Sequence, residues 1–172
     1  MASGSLVYRI PGASWTLELP AQALDTLQSQ AQRRWWSKEA AGQLFSGDPG
    51  LSTVRVDAVT KLPATTASRT GLRLDIPAVV KERELLFKQG LHCLGFWHTH
   101  PEPAPSPSPD DIGLAAEHAR AGRAAFAGLI FVIVGTSPAP EGLGVWVHDG
   151  TTLWHALPEP EAPPPASAAL LS

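Results

Sequence analysis

Cysteine is almost missing from this 172-residue chain. Cys93 stands alone, which excludes an intrachain disulfide and any Cys-rich structural zinc site. Lying in an apolar stretch, it reads as a small buried hydrophobe. Positive charge is not in excess either: 13 Lys and Arg face 16 Asp and Glu, a net charge of −3. Nothing in that balance favours a nucleic acid or an anionic membrane as partner. Long hydrophobic runs are also lacking, and the longest, Ala124 to Val134, is too short to span a bilayer. Residues Met1 to Ser5 lack the basic-then-apolar order of a secretory leader. The expectation is a cytoplasmic protein with no membrane and no nucleic-acid partner.

What is present in quantity is proline. There are 17, and they crowd two places. One fills every odd position from Pro101 to Pro109; the other lies beyond Leu157. The second stretch cannot bury a core and is expected to be a flexible or extended tail over 158–172, leaving one domain over 1–157. No internal repeat is visible.

Alternating and helical periods lay out the domain. Residues 5–10 and 13–19 predict two strands, the second with Trp15, Leu17 and Leu19 on its buried face. A helix opened by Pro20 carries Leu24, Leu27, Ala31 and Trp35 on one stripe, with Arg33 and Arg34 as solvated charges near its end. Residues 37–47 predict a strand whose Gly42 marks a close approach by another backbone. Another strand is expected over 51–59, then a loop over 61–75 with a short strand at 72–75. A helix over 77–89, stopped by Gly90, precedes a buried strand from Leu91 to Trp97. The next helix runs from Pro109 to about Ala121 and packs through Ile112, Ala115, Ala116 and Ala119. Phe126 to Val134 has the continuous apolar character of a central strand. Strands at 143–148 and 152–156 close a hairpin around Asp149 and Gly150.

The chemistry sits where the central strand meets the first proline run. His98 and His100 are separated by one residue, so at an extended strand end their imidazoles fall on the same side. Seven residues separate His100 from Ser108, and two more separate Ser108 from Asp111. Ser108 has the place of a helix N-cap with Pro109 behind it, which puts Asp111 in the first turn, favoured by the helix dipole. Either half has a plain explanation, a surface His pair or a simple capping box. Together they supply two imidazoles and one carboxylate, ligands that zinc accepts, with a fourth position left for water as in catalytic sites. A stiff proline-rich loop suits holding His100 and Asp111 in a fixed relation.

This arrangement, His-Thr-His-Pro from His98 to Pro101 followed by Ser108 and Asp111, resembles the JAMM/MPN+ (Mov34/PAD-1, JAB) metallopeptidases, and the size resembles their small bacterial members. The resemblance implies an α/β fold, a single MPN domain of cytidine-deaminase-like type with a mixed, mostly antiparallel curved sheet flanked by helices. It implies one catalytic Zn²⁺ on His98, His100 and Asp111. It also implies Glu39, followed by Gly42 and an apolar strand, as general base, and Ser108 as the hydroxyl that stabilises the oxyanion. Serving as both cap and oxyanion donor is expected to cost Ser108 some of its capping. The implied reaction is hydrolysis of an isopeptide or peptide bond after the C-terminus of a ubiquitin-like protein, as deconjugase or maturation protease. E1-like and E2-like enzymes, in a bacterial antiviral operon, are the implied partners. In eukaryotic members an insertion near 61–75 helps hold the substrate tail, which makes that loop a candidate here. Alternatives are a non-catalytic MPN scaffold, a peptidase trimming a sulfur-carrier protein, and a DNA-repair-associated branch that the acidic charge disfavours. His92, His118, His148 and His155 read as structural or surface histidines, and Glu102 as a solvated loop charge within reach of a substrate.

Overall fold

A computed structural model describes residues 4–63, 67–68, 71–72, 74–122 and 128–160. The chain begins with strands β1 (Leu6–Arg9) and β2 (Thr16–Leu19), helix α1 (Ala21–Ser29) and strand β3 (Ala41–Ser46). Four short strands follow: β4 (Thr53–Arg55), β5 (Ala58–Val59), β6 (Ala67–Ser68) and β7 (Gly71–Leu72). Helix α2 (Ile76–Phe87), strand β8 (His92–Thr99) and helix α3 (Pro109–Gly122) precede the closing strands β9 (Leu129–Val134), β10 (Leu143–His148) and β11 (Leu153–Pro158).

Nine strands form one sheet in the order β4-β2-β1-β11-β10-β9-β8-β3-β5. Only β2–β4 and β8–β9 are parallel, so the sheet is mixed and mostly antiparallel. Its two edge strands, β4 and β5, are separated in sequence by just Val56 and Asp57. So short a link forces the sheet to curl until its edges nearly meet. That curl splits the strand expected at 51–59: its first half pairs with β2 and its second with β3.

One face of the sheet packs Leu17, Leu19, Leu44, Val132 and Val145 against Leu24 and Leu27 of α1. The other packs Phe96, Phe131 and Ile133 against Val79 of α2 and Ala115 of α3. Strand β9 is buried on both faces, as its unbroken apolar run predicts. Asp149 and Gly150 turn β10 into β11, again as expected.

Several boundaries differ. Helix α1 ends at Ser29: Leu24 and Leu27 are buried and Ala31, past its end, still packs on the core, but Trp35 is 79% exposed. After Gln30 the chain turns on itself through Arg33 N–H to Ala31 O and Ser37 N–H to Arg34 O. The apolar period outlasts the surface available to pack on. Of the short strand expected at 72–75 only Leu72 is strand, the end of β7, and residue 73 lies outside the described residues; Asp75 is instead the N-cap of α2, its side chain accepting from the Ala78 N–H at 3.2 Å. Ile112 is 39% exposed, so the buried residues of α3 are Ala115, Ala116 and Ala119. Strand β11 runs on to Pro158, and Glu159 is tied to β1 by its N–H to Val7 O and by an ion pair with Arg9. Residues 161–172 of the expected tail lie outside the described residues, as does Phe126.

Gly42 shows why β3 needs a residue without a side chain. A Cβ there would stand 1.7 Å from Thr60 O, which accepts the Trp97 indole N–H at 2.8 Å. The close approach expected of this glycine is present, and it leaves room for the Thr60 carbonyl, just past β5, to meet the Trp97 indole of β8 over β3.

Candidate metal centre

The site forms where β8 ends. Backbone pairing carries it there: Ala41 lies opposite His98, Thr99 N–H donates to Ala40 O, and Ala40 N–H donates to the Thr99 hydroxyl, both at 3.0 Å. Glu39 is one residue earlier, so the same bonds set it beside the histidines. His100 N–H continues the ladder onto Val134 O at 2.9 Å. His98 is buried, its ring 5.0 Å from that of Phe131.

The proline run then brings the chain round. Thr136 N–H donates to Glu102 O at 2.9 Å and Ser137 N–H to Pro103 O at 3.3 Å. The loop presses on Gly135 so closely that a Cβ would meet Glu102 O at 2.6 Å. Backbone bonds as well as proline geometry hold this loop.

At its far end Ser108 and Asp111 cap α3 reciprocally. Ser108 N–H donates to Asp111 Oδ2 at 2.8 Å, and Asp111 N–H to Ser108 Oγ at 3.2 Å. That second bond uses an oxygen lone pair and leaves the hydroxyl hydrogen uncommitted. Among the described residues nothing accepts from that hydroxyl.

His98 Nε2 and His100 Nε2 stand 2.9 Å apart. Asp111 Oδ1 is 3.3 Å from the first and Oδ2 3.3 Å from the second. The three residues offer ligand atoms that all lie within 4.8 Å of one another. Bonds of about 2.0–2.1 Å around a tetrahedral zinc give ligand–ligand edges of about 3.3 Å, so this donor set suits such an ion. Facing nitrogens and carboxylate oxygens are otherwise hard to satisfy with protons alone.

Electrostatics agree with a built site. Burial pushes the Asp111 carboxyl up, but the hydrogen bonds from His100 and His98 outweigh it and hold it well below the usual carboxylate range. The same bond to Asp111 raises His100. Burial raises Glu39, opposed by the two imidazoles, and its Oε2 is buried without a hydrogen-bond partner among the described residues. A buried polar atom left unpaired needs a reason. A water or substrate proton at the cluster would supply one.

Glu102 is the residue that sequence reasoning undervalued. Its Oε2 lies 3.3 Å from His100 Nδ1, although its side chain is 58% exposed. A carboxylate on the outer nitrogen fixes the tautomer that leaves Nε2 free to bind a cation. A carboxylate two positions after a candidate ligand His was the available signal.

The other histidines stay out of the cluster. His118 packs on Phe96 at 4.7 Å, and burial lowers its pKa. His148 Nδ1 accepts from the Gly150 N–H, His155 stacks on Trp146, and His92 meets Phe87 edge-on. The candidate loop over 61–75 is described only in part, its backbone at 67–68 and 71–72 forming the β6–β7 hairpin. Among the described residues no helix is long and apolar enough to cross a membrane.

The fold is shared with solved structures. The solution structure of a protein from Desulfitobacterium hafniense matches with a TM-score of 0.60 at 20% identity, over 80% of this chain and 87% of that one. One from Salinibacter ruber matches with a TM-score of 0.51 at 24% identity, over 84% and 94%. No curated protein matches the chain. Family membership comes from residues 20–148, which span the whole cluster and match the family described as prokaryotic homologs of the JAB domain. This chain, with a His-His-Asp group placed to hold a metal, belongs to that JAB family, which includes the JAMM metallopeptidases.

Proposed function

We propose that this protein is a zinc peptidase that hydrolyses the amide bond following the C-terminus of a ubiquitin-like modifier, in deconjugation or precursor maturation. The observation that carries the reading is the convergence of His98, His100 and Asp111 within electrostatic reach of Glu39, whose Oε2 is buried without a hydrogen-bond partner among the described residues. A scaffold would need neither the complete ligand set nor a buried carboxylate oxygen beside it.

His98, His100 and Asp111 would hold the ion, with Glu102 orienting His100. Zinc, when bound, supplies a Lewis acid that polarises a carbonyl and brings the pKa of a water toward neutrality. The residues of the chain do the rest. Glu39 takes the proton of the attacking water on Oε2 and later delivers it to the leaving amine, a role suited to a carboxyl raised by burial. Ser108 donates its uncommitted O–H to the oxygen on which charge develops, worth about 100–1000-fold in rate. The modifier, its E1-like and E2-like partners, a defence operon and the cytoplasm as setting are part of this proposal and rest on the family resemblance.

The test is purification with metal analysis, then incubation with ubiquitin-like precursors extended beyond their C-terminus. About one zinc per chain and cleavage at that junction are expected. Cleavage that survives complete metal removal from a folded sample sinks the reading.

A further inference from the structure

The geometry points to the turn over 32–37, with Pro101, as the subsite that takes an extended acidic segment of the substrate beside the bond to be cut; this rests on the peptidase reading of the adjacent site.

Gln32, Arg33, Arg34, Trp35 and Ser37 line a groove of about 660 Å³ together with Pro101 and Thr136. Pro101 directly follows His100, and Ser37 stands two residues before Glu39. One wall of the groove therefore runs into the general base and the other into a metal ligand.

The surface there is unusual for this chain. Trp35 and Trp36 are 79% and 58% exposed and pack edge-on at 5.5 Å. Arg34 lies over the Trp36 ring at 5.4 Å, and Arg33 Nη1 donates to Gln28 O at 3.0 Å. Among the described residues no carboxylate pairs with either guanidinium. In a protein of net charge −3, two such arginines beside two solvent-exposed indoles form a local positive, aromatic patch.

The turn is also held in shape. Arg34 N–H donates to Ser37 Oγ at 3.2 Å, Ser37 N–H to Arg34 O at 2.8 Å, and Gln32 Nε2 to Ser37 O at 3.2 Å. A loop ordered by its own bonds gives up little freedom when it binds. Guanidinia recognise carboxylates, and indole faces take flat or aliphatic groups without a polar requirement. The occupant that satisfies both is an extended peptide with acidic residues interleaved with apolar ones. A segment rich in lysine or arginine meets like charge.

The probe is an acetylated (Glu-Pro)4 peptide, which offers carboxylates and flat rings, with (Lys-Pro)4 as its opposite. Binding to the metal-loaded full chain is read by calorimetry. The glutamate peptide should bind, more weakly at higher salt, and the lysine peptide should not. The double variants R33A/R34A and W35A/W36A, all at exposed positions, should each weaken binding at least tenfold with melting temperatures unchanged, and R33K/R34K should recover part of the loss. Equal binding of both peptides, no binding, or variants that bind as well as wild type overturn the proposal. So does loss of self-association in W35A/W36A without any effect on peptide, which assigns the patch to a second copy of the chain. Because the readout needs no turnover, selective binding by a protein that cleaves nothing would leave this subsite standing and remove only the peptidase.

Discussion

Replacing Glu39 by glutamine separates its chemistry from its place in the fold. Glutamine keeps the shape but cannot accept a proton. Loss of a positioned general base costs about 100–10,000-fold in rate, so cleavage by Glu39→Gln should fall by at least 100-fold at equal zinc content. Stability should move the other way. Burial raises the Glu39 pKa, and its Oε2 is buried without a partner among the described residues. An acid whose folded pKa lies above its unfolded value of about 4.3 favours the folded state only below that value. The benefit is lost as pH rises through the folded pKa, and at pH 7 the ionised group opposes folding. The metal-free variant should therefore be more stable than metal-free wild type at pH 7, by about 1 kcal/mol for one unpaired atom of a half-buried residue. Near pH 4 the two should converge. Thermal melts of both metal-free proteins at the two pH values, with cleavage rates at matched zinc, give the answer. Activity within tenfold of wild type would move the base elsewhere, and a variant less stable at pH 7 would show that Glu39 is paired after all.

The remaining predictions concern the groups around it. Zinc affinity should fall as pH drops from 7 to 6, by roughly tenfold, because the bond to Asp111 raises His100 and the proton must leave before metal binds; competition titrations at the two pH values measure this. Glu102→Gln should weaken zinc binding about 10–100-fold while the fold survives, since the carboxylate against His100 Nδ1 is lost; equal affinity would make Glu102 a bystander. Ser108→Ala should retain zinc, lose about 1 kcal/mol with its cap, and slow cleavage about 100-fold or more, read from melts and kinetics together. Gly42→Ala places a carbon 1.7 Å from Thr60 O, and should lower stability by about 3 kcal/mol or more in a denaturant titration.

Much of the site was legible from the chain because its geometry is local. The i, i+2 relation of His98 and His100 needs only an extended strand end, and Ser108 with Asp111 needs only the start of a helix. The rest depended on partners distant in sequence. Glu39 reaches the cluster through Ala40 and Thr99, 59 positions apart, and no local pattern encodes that pairing. Glu102 looked like a solvated charge because its value lies in the direction of the His100 ring. Trp35 continued a helical stripe on paper, yet the chain turned before reaching it.

The sequence by itself determined the donor set, the central strand that carries two of its members and the helix that carries the third. Each follows from spacing along a regular backbone. Only the tertiary structure decided that the sheet curls until β4 and β5 nearly meet, that Gly42 leaves room for the Thr60 carbonyl and the Trp97 indole to meet over β3, and that Arg33, Arg34 and Trp35 share a groove with Pro101. Those outcomes come from strand pairing and packing between distant segments, whose energies are shared among many residues and leave no mark at any one of them.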